Sequence, residues 1–147
     1  MVISLTNQAN AASSVATIDS IWARVQLLGV LESSSGTLTA DGTEQVVWQQ
    51  DTPTAVFEPR SLLINVDAMQ AGDTIEIQVY YRLLVAGVYG RLDYQTYTGA
   101  DGGLTNGRVL VEVALMPNRY GARVTLTQTA GGGFRDFPWA AFEEQPA

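Results

Sequence analysis

The sequence predicts an all-β fold: an antiparallel β-sandwich of about eight strands, jelly-roll-like, preceded by one short N-terminal helix. Three observations predict it. In residues 72–83 (GDTIEIQVYYRL), Ile75, Ile77, Val79, Tyr81 and Leu83 alternate with Thr74, Glu76, Gln78, Tyr80 and Arg82. That is the pattern of a strand with one face in a core and the other toward water. From residue 33 onward similar runs recur at a spacing of about 8–12 residues, separated by Gly, Pro, Asn and Asp, as in a sandwich or barrel. Only residues 15–31 change period, with Ile18, Ile21, Val25 and Leu28 at a/d spacing and Trp22 widening the stripe.

Taken in order, residues 1–14 (MVISLTNQANAASS) are polar and small after an apolar start, which reads as an extended arm. Met1 to Leu5 alternate, so the arm is able to add a strand to a neighbouring subunit. Residues 15–32 form the helix, with Ser14 or Thr17 as cap and Asp19 in the first turn. Its stripe packs either on its own sandwich or on copies of itself at a symmetry axis, since two heptads are too few for a free coiled coil. The sandwich domain then spans residues 33–147. Residues 33–36 (SSSG) read as a turn, 37–40 as a short strand closed by Asp41-Gly42, and 44–50 (EQVVWQQ) as a strand ended at Pro53. Residues 61–66 form the next strand, and 67–72 a tight connection into the strand of 74–83. After a hairpin connection over 85–90, residues 91–98 (RLDYQTYT) set Leu92, Tyr94, Thr96 and Thr98 against Asp93, Gln95 and Tyr97. Residues 99–107 (GADGGLTNG) read as an exposed, mobile loop. Strands follow at 108–115, at 120–129 with Ala122, Val124 and Leu126 inward, and at 134–144, where Pro138 argues for an edge or a bulge.

Composition bounds the chemistry. The 147 residues suffice for one domain with a real core, and a hydrophobic fraction of 46% is that of a globular protein. No apolar run reaches the length of a spanning helix, and the start carries no positive charge, so neither a membrane span nor a signal peptide is expected. Cysteine and histidine are absent, which removes thiol catalysis, disulfides, the commonest general base and the commonest zinc ligand. All eight basic residues are arginine and the formal charge is −7, a poor endowment for gripping a phosphate backbone. No nucleic acid, membrane or cofactor is expected as a partner.

The remaining side chains offer little for catalysis. Asp67, Asp73, Asp93 and Asp101 sit in separate turns without a D-x-D-x-D loop, so turn chemistry accounts for them better than a metal. Glu76 and Glu112 alternate outward on two strands, where a solvated face is the commoner origin of such a pair than a glycosidase site. Serine is without a histidine or lysine partner, and Gly131-Gly132-Gly133 precedes a strand rather than a helix. No enzyme activity is expected. The aromatic residues fit core packing and cross-strand pairs first. Tyr80 and Tyr97, placed outward by the alternation, suit a subunit interface or, secondarily, a sugar-binding groove. Candidate contact residues are therefore Ile18, Ile21, Trp22, Val25, Tyr80 and Tyr97.

From residue 33 to 144 the motifs SSSGTLTADGTEQVVW, INVDAMQAGDTIEIQVYYRL, YQTYTG, MPNRYGARVTLTQTAGG and FRDFPWAAF resemble small β-sandwich virion modules of tailed bacteriophages. The likeness is to capsid decoration (cement) proteins and to β-modules of tail fibres, and it covers about three quarters of the chain. It implies a homotrimer on the capsid exterior that contacts the major capsid protein, with the N-terminal arm reaching neighbours. A tail-fibre or receptor-binding module recognising glycans is the alternative it implies. It carries no site residue.

Overall fold

The computed structural model describes residues 30–51 and 59–144, with side chains described for 34–51 and 59–143. Nine strands form: β1 Val30–Thr39, β2 Gln45–Gln50, β3 Pro59–Asn65, β4 Thr74–Tyr81, β5 Gly90–Ala100, β6 Gly103–Leu104, β7 Leu110–Ala114, β8 Ala122–Ala130 and β9 Asp136–Glu144. They make a four-stranded sheet, β1-β9-β3-β7, and a five-stranded one, β2-β8-β4-β5-β6. Apart from the two-residue β6, successive strands alternate between the sheets, and only β4 and β5 stay together as a hairpin. The expected antiparallel sandwich is thus observed, with the strand order of a jelly roll. Residues 15–29 of the expected helix lie outside the described residues, and so do Ile18, Ile21, Trp22 and Val25.

The core is filled from both inner faces: Leu62, Ile64, Val111 and Phe137 of the four-stranded sheet meet Ile75, Ile77, Val124 and Leu126 of the five-stranded one, all buried. β4 presents Ile75, Ile77, Val79 and Tyr81 inward as the alternation requires. Leu83 does not continue that face; the strand ends at Tyr81 and Leu83 lies in the exposed hairpin connection.

Several local expectations are corrected. β1 begins at Val30, so the last residues of the expected helix and the SSSG run are strand. Gly36 is a packing position, not a turn: a Cβ there would meet the Trp139 ring at 3.2 Å. Pro138 is not on an edge, because β9 lies between β1 and β3; it falls one residue outside the β3–β9 register, which ends at Ile64↔Trp139. The loop over 99–107 is tied down. Gly99 and Ala100 pair with Leu104 and Gly103, the Gly102 amide donates to Met69 O at 3.0 Å, and Leu104 is buried.

One buried ion pair closes the end of the sandwich where β3 passes to β4 and β8 to β9. Asp73, fully buried, accepts from Arg135 Nε at 2.7 Å and from the Gln70 amide at 2.9 Å. Gln128 bridges the same turn, accepting from the Arg135 amide at 3.0 Å and donating to Gly133 O at 2.8 Å. Burial pushes the Asp73 carboxyl up, but the Arg135 and Gln70 donors outweigh it and hold it below the ordinary range. Gly131 is required here, with φ +145° and a notional Cβ only 2.1 Å from Asp73 Oδ1.

Candidate contact surfaces

Antiparallel pairing sets Tyr80 of β4 beside Arg123 of β8 and Arg91 of β5 on the outer face of the five-stranded sheet. The inner face of β4 being apolar, these polar and aromatic neighbours must satisfy one another in front of solvent. They form a ladder. The Arg123 guanidinium lies 4.8 Å from the Tyr80 ring and 4.4 Å from the Tyr89 ring, and Arg82 lies 4.4 Å from Tyr89 on its own account. Each contact sets a cation against the negative face of an aromatic ring. Arg82 Nε and Arg123 Nε are buried and make no hydrogen bond.

Carboxylates end the ladder on both sides. The Tyr80 hydroxyl donates to Glu44 Oε1 at 2.6 Å, and Thr125 Oγ1 donates to the same oxygen at 2.7 Å. Those two hydroxyls, against some burial, hold the Glu44 carboxyl below its ordinary range. Arg91 Nη1 donates to Gln78 Oε1 at 3.0 Å, which helps keep Gln78 buried on this outer face. On the other side the Tyr89 hydroxyl and the Gln49 amide both donate to Asp51, which pairs with Arg82 Nη2 at 3.2 Å. Burial first, and the neighbouring Asp51 second, push the Tyr89 hydroxyl up to about 12.

Beyond the ladder the β4–β5 hairpin projects an apolar tip. Leu83, Leu84, Val85 and Val88 are 84%, 69%, 78% and 93% exposed. The tip is a defined turn, not a slack loop: the Gly87 amide donates to Leu84 O at 3.0 Å, and Ala86 takes φ 55°. Soluble monomers rarely leave contiguous aliphatic side chains this bare, which makes the tip a candidate contact element.

β5 leaves a second opening. Its residues opposite Ile75, Ile77 and Val79 are Tyr97, Gln95 and Asp93, so these three share the inward face. Tyr97 packs on the core, while Asp93 and Gln95 stay exposed at the mouth of a groove of about 320 Å³ toward β7.

Of the sequence-derived candidates, the structure brings Tyr80 to the outer face, and its ring is covered by Arg123. Tyr97 is placed inward against the core, opposite to the expected phase. The alternation of β5 is equally regular in both phases, and pairing with β4, with Leu92 as the extra residue of a bulge between Val79 and Tyr80, selects the observed one. The alternation also put Glu76, Gln78 and Arg82 on the outward contact face with Tyr80, and Arg82 joins the ladder; sequence reasoning missed Arg123 and Asp51 as its members, and missed the tip. The uninterrupted apolar run over 83–88 inside a hairpin turn was the available signal. Glu76 and Glu112 lie on outer faces of different sheets. Among the described residues no three acidic side chains converge into a group able to hold a metal ion.

No family model and no curated protein matches the sequence. Among solved structures the chain is similar to one from Bacillus endospore appendages, a novel family of disulfide-linked pili. Identity is 16% over 80% of this chain and 90% of that one, with a TM-score of 0.44. It is also similar to VP2 of infectious bursal disease virus in a subviral particle, at 9% identity over 78% of this chain and 31% of that one, TM-score 0.43. A chain of the Gt strain of that virus gives 14%, 78%, 30% and 0.37 for the same quantities. The chain spans about a third of the length of those two viral chains.

Proposed function

We propose that this chain is a non-catalytic structural module of a virion, a head decoration protein that binds the outer surface of a capsid as a homotrimer and contacts the major capsid protein. The observation that carries the reading is the division of its surface. The hydroxyls and carboxylates of the ladder engage one another, while bare aliphatic side chains stand at the hairpin tip. Such a surface offers a neighbour fit rather than chemistry. Jelly rolls serve in viral capsid domains, which agrees with this role, although lectins share the fold and fold alone does not assign function. The motif resemblance points the same way. A decoration protein stabilises a shell by adding buried interface across its units, so binding shifts the shell toward its intact state by mass action. A glycan platform is disfavoured, because the Tyr80 ring is covered by Arg123 and Tyr97 packs on the core.

Mixing the protein with expanded, undecorated shells of a tailed bacteriophage tests the proposal. Co-sedimentation at saturating stoichiometry, with a raised temperature of shell disruption, is expected. Absence of both binding and stabilisation overturns it.

A further inference from the structure

We propose that copies of this chain associate head to tail, the apolar hairpin tip and its arginine collar on one copy seating against the acidic end of the next. The inference rests on the trimeric part of the reading above. A ring of three identical subunits needs two different patches that complement each other, whereas a single self-complementary patch yields only a two-fold dimer.

The strand register sorts the charges. β4 runs toward the tip and β5 away from it, β8 starts beside Tyr81, and β3 starts opposite the end of β7. Arg60, Arg82, Arg91, Arg119 and Arg123 therefore lie toward the tip end, with Asp51, Asp93 and Glu143 as the described acids there. At the opposite end, in the turns after β1, β3, β5, β6 and β8 and at the start of β9, lie Asp41, Glu44, Asp67, Asp73, Asp101 and Asp136, against Arg108 and Arg135. Arg135 is committed to buried Asp73 and Arg82 to Asp51, so neither pair changes the sign of its end. One end is left positive and the other negative.

The apolar surfaces match that polarity. The positive end carries the four exposed aliphatic residues of the tip. The negative end carries Phe134, 61% exposed, beside a hollow of about 410 Å³ lined by Gly42 and residues 128–133. Unlike ends attract and like ends repel, which favours tip-to-acid contacts over tip-to-tip ones. An anionic lipid surface would also suit an aliphatic tip with an arginine collar. It would leave the hollowed acidic end without a role, and a chain of net charge −7 would be repelled from it. A second copy accounts for both ends at once.

Light scattering and sedimentation velocity on the full chain test this with two sets of substitutions at exposed positions. One charges the tip, Leu84→Asp with Val88→Asp; the other inverts the acidic end, Asp67→Arg with Asp101→Arg. Leu83→Ser with Val88→Ser is a milder tip pair should the aspartates disturb folding, which circular dichroism monitors. The wild type is expected to form a trimer that loosens as salt rises, and each variant alone to be monomeric, with association weakened about tenfold or more. An equimolar mixture of the serine tip variant with the inverted-end variant should give a heterodimer and nothing larger, because each supplies one intact end and the uncharged tip offers the inverted end no acid. A trimer that survives both variants overturns the head-to-tail contact and leaves the trimeric reading standing. An open series of oligomers lost with either variant supports the contact and overturns closure at three. A wild type that stays monomeric, or that binds phosphatidylserine vesicles through the tip instead of itself, overturns the inference.

Discussion

Tyr89 shows how one side chain can join two roles: its ring is in contact with the guanidinium groups of both Arg82 and Arg123, and its hydroxyl donates to Asp51. The hydroxyl is pushed up to about 12, above the ordinary tyrosine value near 10. A folded-state value raised above the unfolded one contributes stability that is complete below about pH 10 and is lost as pH rises toward 12. Tyr89→Phe should therefore lower stability at pH 8 and flatten the alkaline limb of the stability curve, as read by denaturant melts across that range. Asp73 has the opposite sign. Its carboxyl is held below the ordinary range, so its contribution is present above about pH 4 and is lost as pH falls through the lower folded value. Asp73→Asn leaves the partly exposed Arg135 facing a neutral amide and should lower stability at pH 7. The same melts should then show little further loss of stability on acidification below pH 4.

At the scale of elements, residues 99–107 carry the sharpest prediction. Glycine content makes this stretch look loose, yet its amides are engaged: Gly99 to Asp73 O at 2.8 Å, Leu104 to Arg108 O at 2.8 Å and Thr105 to Thr98 O at 3.1 Å. Amide exchange at these positions should be protected well beyond that of the hairpin tip, and Leu104→Ala should destabilise by about 2–3 kcal/mol. Free exchange throughout 99–107 would contradict the described pairing. This stretch also shows what could be read from the sequence. Period-two alternation identified β4 and β8 with their inward faces, because each has one strongly apolar side. It could not decide β5, where Leu92 and Tyr94 compete with Tyr97 and only the partner strand chooses the face. Nor could it recognise β1 in a serine run, since what holds β1 is the sheet it joins, not its own propensity. The outer-face ladder was half visible: the outward placement of Tyr80 followed from alternation, but its stacking on Arg123 depends on a pairing between residues far apart in sequence.

At the scale of the whole molecule, the jelly-roll order makes nearly every sheet contact long-range. β1 shares a sheet with β9, and Thr39 Oγ1 donates to Asp136 at 2.6 Å across 97 residues of chain. Neither sheet has a core of its own. Leu62 and Ile64 of β3 are buried only because the other sheet supplies Ile77, Val124 and Leu126, so removing one sheet exposes the inner face of the other. The two sheets should accordingly melt as one unit. Leu62→Ala and Leu126→Ala, one substitution in each sheet, should each cost about 2–5 kcal/mol and lower the same single transition. In a Trp22→Phe background, far-ultraviolet circular dichroism and tryptophan fluorescence should report coincident midpoints in both variants, with Trp48 on β2 and Trp139 on β9, each read alone after Phe replaces the other, as the probe of its sheet. Refolding should be slow for the size of the chain, in the millisecond-to-second range typical of β-sandwiches, because closure of long loops precedes the contacts that reward it. If Leu126→Ala shifted the dichroism midpoint and left the fluorescence from Trp139 unmoved, the sheets would be separable units. A module that presses a fixed hairpin tip against its neighbour would then lack the rigid base on which that tip depends.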